Sequence, residues 1–318
     1  MFTMLNYIIR RLLIGLFTLL CITFIVFALV SLAPGDPIRL MLASERINPE
    51  LAQRMIQYYK LDQPWYMRYG AYLFSLLHGD LGYSLTTRNK VSLSIARAFP
   101  NTVLLTCASM GVAILIAIPL GIIAAAYRNT LADYSALVAA LIGVSMPNFW
   151  LGLMLILIFG LRLKWLPIFG IGRLERGLMD VISHLILPSI TLGSGLAGLL
   201  MRLTRSALLD VLGMEYIRTA RAKGVAESQV LIKHSFRNAM IPVLTTAGLQ
   251  FGSLLGGAMI VETIFAWPGM GRLAIQAVQE RDFPVIQGTT LVFAASFIVV
   301  TLIVDLLYAV IDPRIRYE

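Results

Sequence analysis

From residue 12 to residue 33 the chain carries no charge at all. As a helix rising 1.5 Å per residue, that run reaches about 33 Å, enough to cross the ~30 Å hydrocarbon core of a bilayer. Arg10 and Arg11 precede it as in a secretory leader, but the apolar stretch is too long for one and no small-residue cleavage site follows. It reads as an uncleaved anchor. Five further apolar runs follow, near 101–127, 135–161, 184–201, 239–265 and 288–311. With 58% hydrophobic residues, 14% charged residues and a mean hydropathy of +0.81, a water-soluble globule is hard to build from this chain. The expected fold class is an all-α integral membrane protein with six transmembrane helices.

Six spans place both termini on one side. In short segments that side holds Arg10, Arg11, Arg128, the basic residues between 202 and 237, Arg314 and Arg316; the other holds those of 162–176 and 272–281. Counted on Lys and Arg, the first side is richer and is expected to be cytoplasmic. The basic residues of 34–100 do not enter the count, because a loop of that length is translocated largely regardless of charge. The formal charge of +9 does not point to nucleic acid: the cations flank membrane spans and form no aromatic-interleaved patch, as suits topology and anionic lipid. Cys21 and Cys107 both fall within spans and make neither a CxxC pair nor a ligand cluster, so no metal site or disulfide framework is suggested.

The chain divides into an anchor helix at 1–33, an extracytoplasmic segment at 34–100, and a five-helix core at 101–318 containing a cytoplasmic loop at 202–237. Asn48-Pro49, Gln63-Pro64-Trp65 and His78-Gly79-Asp80 punctuate the second part around a helix expected over 49–59, which makes it a small ordered domain rather than a linker. Neither a low-complexity tract nor a repeat of fixed period is present.

The chemistry open to such a chain is narrow. There is no Gly-Lys dipeptide, so the GxxxxGK[ST] phosphate loop is absent; HExxH and GxSxG are absent too. An intramembrane serine protease would draw on Ser194 and His184, but ten residues along one helix separate them by about 15 Å, too far to share a proton. His78 and His234 read as loop residues.

Two features of the spans suggest more than anchorage. In "LIGVSMPNFWLG", Pro147 removes a backbone donor in mid-span, with Ser145 and Asn148 beside it. Such a break is tolerated where the backbone is buried in protein or lines an aqueous cavity, and both readings stay open. Gly248, Gly252 and Gly256 recur every four residues and bare one helix face for close packing, while Thr245 and Gln250 give the same span polar atoms that could line a path.

The loop 202–237 carries the polar stretch "EYIRTARAKG", Glu215 to Gly224. Met214, Ile217, Ala220 and Arg221 recur near helical spacing, with Arg218, Ala222 and Lys223 round the rest of the turn. A glycine just past a helix can take the left-handed conformation that closes it, and cations suit the negative end of the helix dipole. A short capped helix outside the bilayer is expected, without an acid/base constellation, whose evident use is contact with another protein. Its apolar face is too weak for a helix lying on lipid.

"EYIRTARAKG" followed by "RNAMIP" resembles the cytoplasmic EAA-type loop of ABC-importer permeases in the variant of the dipeptide/oligopeptide permease family. "APGDP" at 33–37, "FPNT" at 99–102, "MPNFWLGL" at 146–153, "VETIFAWPGMGR" at 261–272 and "VDLLYAVIDPRIR" at 304–316 are similar to the same family, in order and from end to end. Arg218 and Thr219 stand where the general EAA pattern has Glu and Ala, a difference shared by the peptide-permease branch. The resemblance implies a type I ABC-importer permease fold in a bacterial inner membrane. As partners it implies a homologous second permease, two ABC ATPase subunits, an extracytoplasmic substrate-binding protein and the lipid bilayer, with no cofactor or metal on this chain. Glu215, Tyr216, Arg218, Thr219, Ala220, Arg221, Ala222, Lys223 and Gly224 would then form a coupling helix seated in a cleft of an ATPase subunit, and the solute would be a dipeptide, oligopeptide or related small molecule. Two other classes stay in view. An ion-driven transporter would need ionisable residues deep in its spans, where the only acid expected well inside one is Asp305, near the cytoplasmic end, and a membrane scaffold would need neither the broken span nor the glycine face.

Overall fold

The computed structural model describes residues 2–32, 50, 53, 56, 57, 60 and 62–311. The segment 33–37, most of the helix expected over 49–59, and Arg314 and Arg316 lie outside them. Among the described residues the secondary structure is helical apart from an isolated antiparallel bridge between Tyr83 and Lys90. The chain forms two compact units, one of residues 1–99 and 273–295, the other of 100–272 and 296–318.

In the first unit, α1 (Phe2–Leu32) is the charge-poor anchor, and α2 (Trp65–Leu77) packs along it. The loop after α2 is pinned by Asp282, a buried carboxylate just before α10 (Phe283–Ile311). It accepts the Ser84 hydroxyl and the backbone N–H groups of Leu85 and Thr86. Three donors on one buried acid satisfy the charge that burial would otherwise leave costly.

The second unit takes most of α3 (Val91–Ala126), then α4 (Leu131–Ser145), α5 (Asn148–Arg162), α6 (Leu178–Leu212), α7 (Glu215–Ala222) and α8 (Glu227–Ile264). It also holds the first turn of α9 (Met270–Glu280) and the second half of α10. At its centre is α6, packed against α4, α5 and α8. Gly193 and Gly198 let it approach backbone: a Cβ on Gly193 would stand 2.5 Å from the Ser109 carbonyl oxygen, and one on Gly198 would strike the Ala140 carbonyl. Leu187, Leu200, Met201 and Leu208 fill the space around these contacts. Helix association in a bilayer depends on such close van der Waals contact, since lipid tails are as apolar as leucine.

Among the described residues five helices are long and apolar enough to span a bilayer, and the pair α4–α5 makes a sixth if taken as one span. That pair is bent by 103°, so the run 135–161 is not one straight helix. Pro147 is the cause. Its ring disfavours the helical region for Met146, which is extended at ψ 127°, and Pro147 itself continues extended at ψ 130° before α5 begins. Farther on, Ile156–Arg162 is wound as a π-helix, and so is Val230–Phe236 in α8, where the Ser235 hydroxyl donates to the Val230 carbonyl five residues back at 2.9 Å.

Candidate functional site

Helix α7 begins two residues after α6 ends, on an extended Met214. Its inward anchors are few. Ile217 is fully buried, and α7 packs on the π-helical start of α8, where Val230 and Ser235 are fully buried as well. The Tyr216 hydroxyl accepts from Asn238 Nδ2 at 2.9 Å and donates to the His234 carbonyl at 3.4 Å. Everything else of the sequence-predicted set stands outward: Glu215, Arg218, Thr219, Arg221, Ala222, Lys223 and Gly224 are exposed and Ala220 is half-exposed.

The far end of α7 is closed by geometry rather than by a side chain. Gly224 has φ +78°, its N–H bonds the Arg221 carbonyl at 2.9 Å, and the Val225 N–H bonds the Ala220 carbonyl at 3.3 Å. That double bond pattern is a Schellman closure, and it needs a residue free to adopt positive φ. The cations are less available than the sequence suggests. Arg218 is held by Glu215 at 2.6 Å, and Arg221 reaches forward to Glu227 through both Nε and Nη2. The Glu227 carboxylate keeps the Arg221 guanidinium above its ordinary range, hence fully charged.

The residues expected along a path are more scattered. Ser145 and Pro147 are exposed at the α4–α5 bend, and Asn148 is half-buried, its side-chain oxygen facing Gly195 of α6. On α8, Thr245 spends its hydroxyl on the Ile241 carbonyl and Gln250 is half-buried. Of the glycine face, Gly248 meets Val304 and Gly252 meets Phe297 of α10, whereas nothing lies within 4 Å of the Cβ position of Gly256. The closest approaches to backbone are instead those of Gly193 and Gly198 on α6, signalled in the sequence by the small-residue run "GSGLAG" that the four-residue spacing rule passes over. His184 and Ser194 make no proton-sharing pair: His184 Nδ1 lies 2.7 Å from the Asp180 carbonyl oxygen, and the Ser194 hydroxyl donates to Thr191 at 3.1 Å.

Besides Asp282, two buried acids, Asp133 and Glu262, have no part in the sequence analysis. Asp133, in the first turn of α4, forms a bidentate pair with Arg205 of α6, both bonds at 2.7 Å, and also accepts the Asn129 N–H at 2.9 Å. Glu262, at the end of α8, is fully buried. Its carboxylate accepts the Thr102 hydroxyl at 2.6 Å and the Arg272 N–H at 3.0 Å, while Thr102 accepts the Met270 N–H at 2.8 Å. A carboxylate and a hydroxyl from two other helices thus cap the N-terminus of α9, where negative charge is favoured. Around it, the Trp267 indole N–H bonds the Asn101 carbonyl at 2.9 Å, and Asn101 Nδ2 bonds the Pro268 carbonyl at 2.8 Å. Distant in sequence, "FPNT" and "VETIFAWPGMGR" meet as one hydrogen-bonded block. Asp305 is therefore not the sole acid embedded in the helices; Asp133 and Glu262 are both satisfied by donors.

Comparison with known proteins bears on this arrangement directly. A family model described as binding-protein-dependent transport system inner membrane component matches residues 117–317, and one describing the N-terminal part of such components matches 4–106. The glutathione transport system permease protein GsiC of Escherichia coli K12 is 45% identical over 315 residues, which cover 99% of this chain and 100% of that protein. The protein of the same description from Salmonella paratyphi A is 46% identical over the same coverage. Among solved structures, two crystal forms of the inward-facing MetNI methionine ABC transporter superpose with TM-scores of 0.58 and 0.55. They share 17% and 18% identity, over 69% of this chain and 97% and 96% of theirs.

Proposed function

The chain belongs to the family of binding-protein-dependent transport system inner membrane components and is a permease subunit of an ATP-driven importer, and from that premise we propose that α7 is the lever through which separate ATPase subunits drive it. One observation carries the reading. α7 is rigidly closed at Gly224, tied inward through Ile217 and Tyr216, and otherwise turned outward. A displacement imposed on its outer face reaches α6 through the short Gly213–Met214 link and α8 through the Tyr216 bonds; Arg205 hands it on to α4 through Asp133. Closure of an ATP-loaded ATPase pair would thereby tilt the centre of the helix bundle. No bond is made or broken by this chain in that scheme; ATP is hydrolysed by the partners.

The full assembly has a homologous second permease completing the path, two ATPase subunits, and a substrate-binding protein on the exterior. The chain is a multi-pass inner-membrane protein. Both termini and the loop 202–237 face the cytoplasm in this reading, and the segments 34–100, 162–183 and 262–284 face outward toward the binding protein. The solute is a short peptide: glutathione, named for the similar permeases, is a tripeptide. Ser145, Pro147 and Asn148 at the bend, with Thr245 and Gln250, are the polar groups proposed for its path, and Gly248 and Gly252, which meet Val304 and Phe297, form the packing face of α8, whereas Gly256 meets nothing within 4 Å. Labelling by an impermeant thiol reagent in intact cells, with Cys21 and Cys107 replaced, should reach Asn89→Cys and spare Ser228→Cys. The reverse pattern would invert the topology.

The lever is tested on the complete importer in vesicles, with uptake and ATP turnover measured together. Gly224→Val places a β-branched residue at positive φ, and Lys223→Glu reverses an outward charge without touching the Arg221–Glu227 pair. Uptake should fall roughly 5–150-fold, the span of ordinary coupling free energies, while ATP turnover stops responding to loaded binding protein. Normal stimulation and normal uptake in both variants would sink the proposal.

A further inference from the structure

Helix α2 is built the wrong way round for water. Its outward stripe is Tyr66, Met67, Gly70, Phe74 and Leu77, three and four residues apart, with Phe74 66% and Leu77 85% exposed. No charge stands on that stripe. The helix's one cation, Arg68, is turned inward with Tyr72 and Ser75, and together with Lys60 and Asp80 they line a cavity of about 340 Å³, which Phe74 also borders. A helix of a water-facing domain shows its polar residues to solvent and buries its apolar ones. The inner face of α2 also carries Ala71, Leu73 and Leu76, so apolar residues stand on both sides of the helix, as suits one whose outer solvent is hydrocarbon and whose few polar groups shelter against protein.

Its contacts place it at membrane depth. The Trp65 ring meets Phe24 of α1 at 6.5 Å, Tyr69 meets Phe24 at 5.5 Å and Phe27 at 5.2 Å, and Tyr72 stacks on Phe27 at 6.0 Å. The Tyr69 hydroxyl lies 3.2 Å from Thr23 Oγ1, and Arg68 sits over the Phe27 ring at 5.9 Å. These α1 residues lie about 7–14 Å along the helix axis before its end at Leu32, within the spanning stretch rather than above it. On α1 itself Phe24, Ile25 and Leu29 are exposed at the same level, so the stripe on α2 continues the lipid-facing surface of a membrane span. Thirteen residues make a helix of about 20 Å, too short to cross the bilayer and suited to one leaflet.

We propose that α2 is embedded in the leaflet crossed by the C-terminal half of α1, with its stripe packed against phospholipid acyl chains. This goes beyond the transport reading and withdraws Trp65–Leu77 from the exterior docking surface; the binding protein meets the rest of 34–100. The test uses the complete importer in phosphatidylethanolamine/phosphatidylglycerol vesicles, with Cys21 and Cys107 replaced by alanine and a nitroxide attached in turn to Met67→Cys, Phe74→Cys and Leu77→Cys. Phe17→Cys and Asn89→Cys supply the lipid and water references, and uptake by the same vesicles certifies each preparation. Collisions with oxygen should exceed those with a water-soluble nickel chelate several-fold at all three positions, as at Phe17→Cys. Chelate collisions as frequent as at Asn89→Cys would put the stripe in water. Low rates for both reagents would put it against a second permease or the binding protein. Either result overturns the proposal.

Discussion

Helices α1 and α6 are both long enough to cross a membrane, yet only 17% of the spanning window of α1 is buried, against 61% of that of α6. In a soluble protein the more apolar of the two would be the central one. Here the order is reversed: α1, mostly leucine, isoleucine and phenylalanine along its middle, is largely exposed within its own unit, and α6, with its serines, threonines, glycines and Arg205, holds the centre of the other. Hydrocarbon gives no hydrophobic reason to hide leucine, so shape and hydrogen bonding decide which helix is inside. The cost of a polar group in lipid then makes polarity a marker of interior position rather than of surface.

The sharpest way to break this contrast is to orphan the charge that α6 carries. Asp133→Ala leaves the Arg205 guanidinium partly buried without its bidentate partner, which should cost about 3–5 kcal/mol in thermal unfolding of the purified complex. The double variant Asp133→Leu with Arg205→Met should recover most of that loss. If the single variant unfolds normally, the pair does not hold α4 to α6. A smaller effect is expected at Gly198→Leu, where a branched side chain must displace the backbone around Ala140: about 1–3 kcal/mol, seen as a reduced yield of assembled complex by size exclusion. Wild-type yield would mean that α6 can retreat from α4 at no cost. Smallest of all is Phe17→Ala on α1, where lipid replaces the ring: a change within about 0.5 kcal/mol on the same thermal assay. A large loss there would show that a partner subunit, not lipid, covers that face.

The same contrast explains what could be read without coordinates. Outward helices are legible because their apolar runs are unbroken: the charge-free run 12–33 marks the C-terminal end of α1, though the helix itself begins at Phe2, ahead of Arg10 and Arg11. The interior ones were truncated: 184–201 is in fact Leu178–Leu212, because Asp180, Arg202, Arg205 and Asp210 look like loop residues although the helix carries them past the membrane boundary. Likewise 101–127 begins at Val91, since Pro100 suggests a helix start but lies inside α3. At the site, the helix between 215 and 222 and its closing glycine were visible from local chemistry alone, which is where sequence rules are strongest. What local rules cannot supply is partnership across the chain. Neither Arg221 with Glu227 across a turn, nor Glu262 with Thr102, nor Asp133 with Arg205 leaves a signature at its own position. The 103° turn at Pro147 was foreseen as a break but not in its size, because proline prescribes the loss of a donor and leaves the new direction of the chain to packing.

The cap on α9 also sets an order of events in synthesis. Its donors and acceptors come from residues 102, 262, 270 and 272, and Thr102 and Glu262 are 160 residues apart. At ordinary elongation rates of about 5–20 residues per second, Thr102 is made roughly 8–30 s before the acid it will serve. During that interval the Thr102 hydroxyl waits for the carboxylate it donates to in the finished fold. When Glu262 and the turn after it emerge, one closure joins four separated residues and satisfies the first turn of α9. A chain cut short before Arg272 lacks the N–H that completes that closure and leaves the Glu262 carboxylate with one donor fewer.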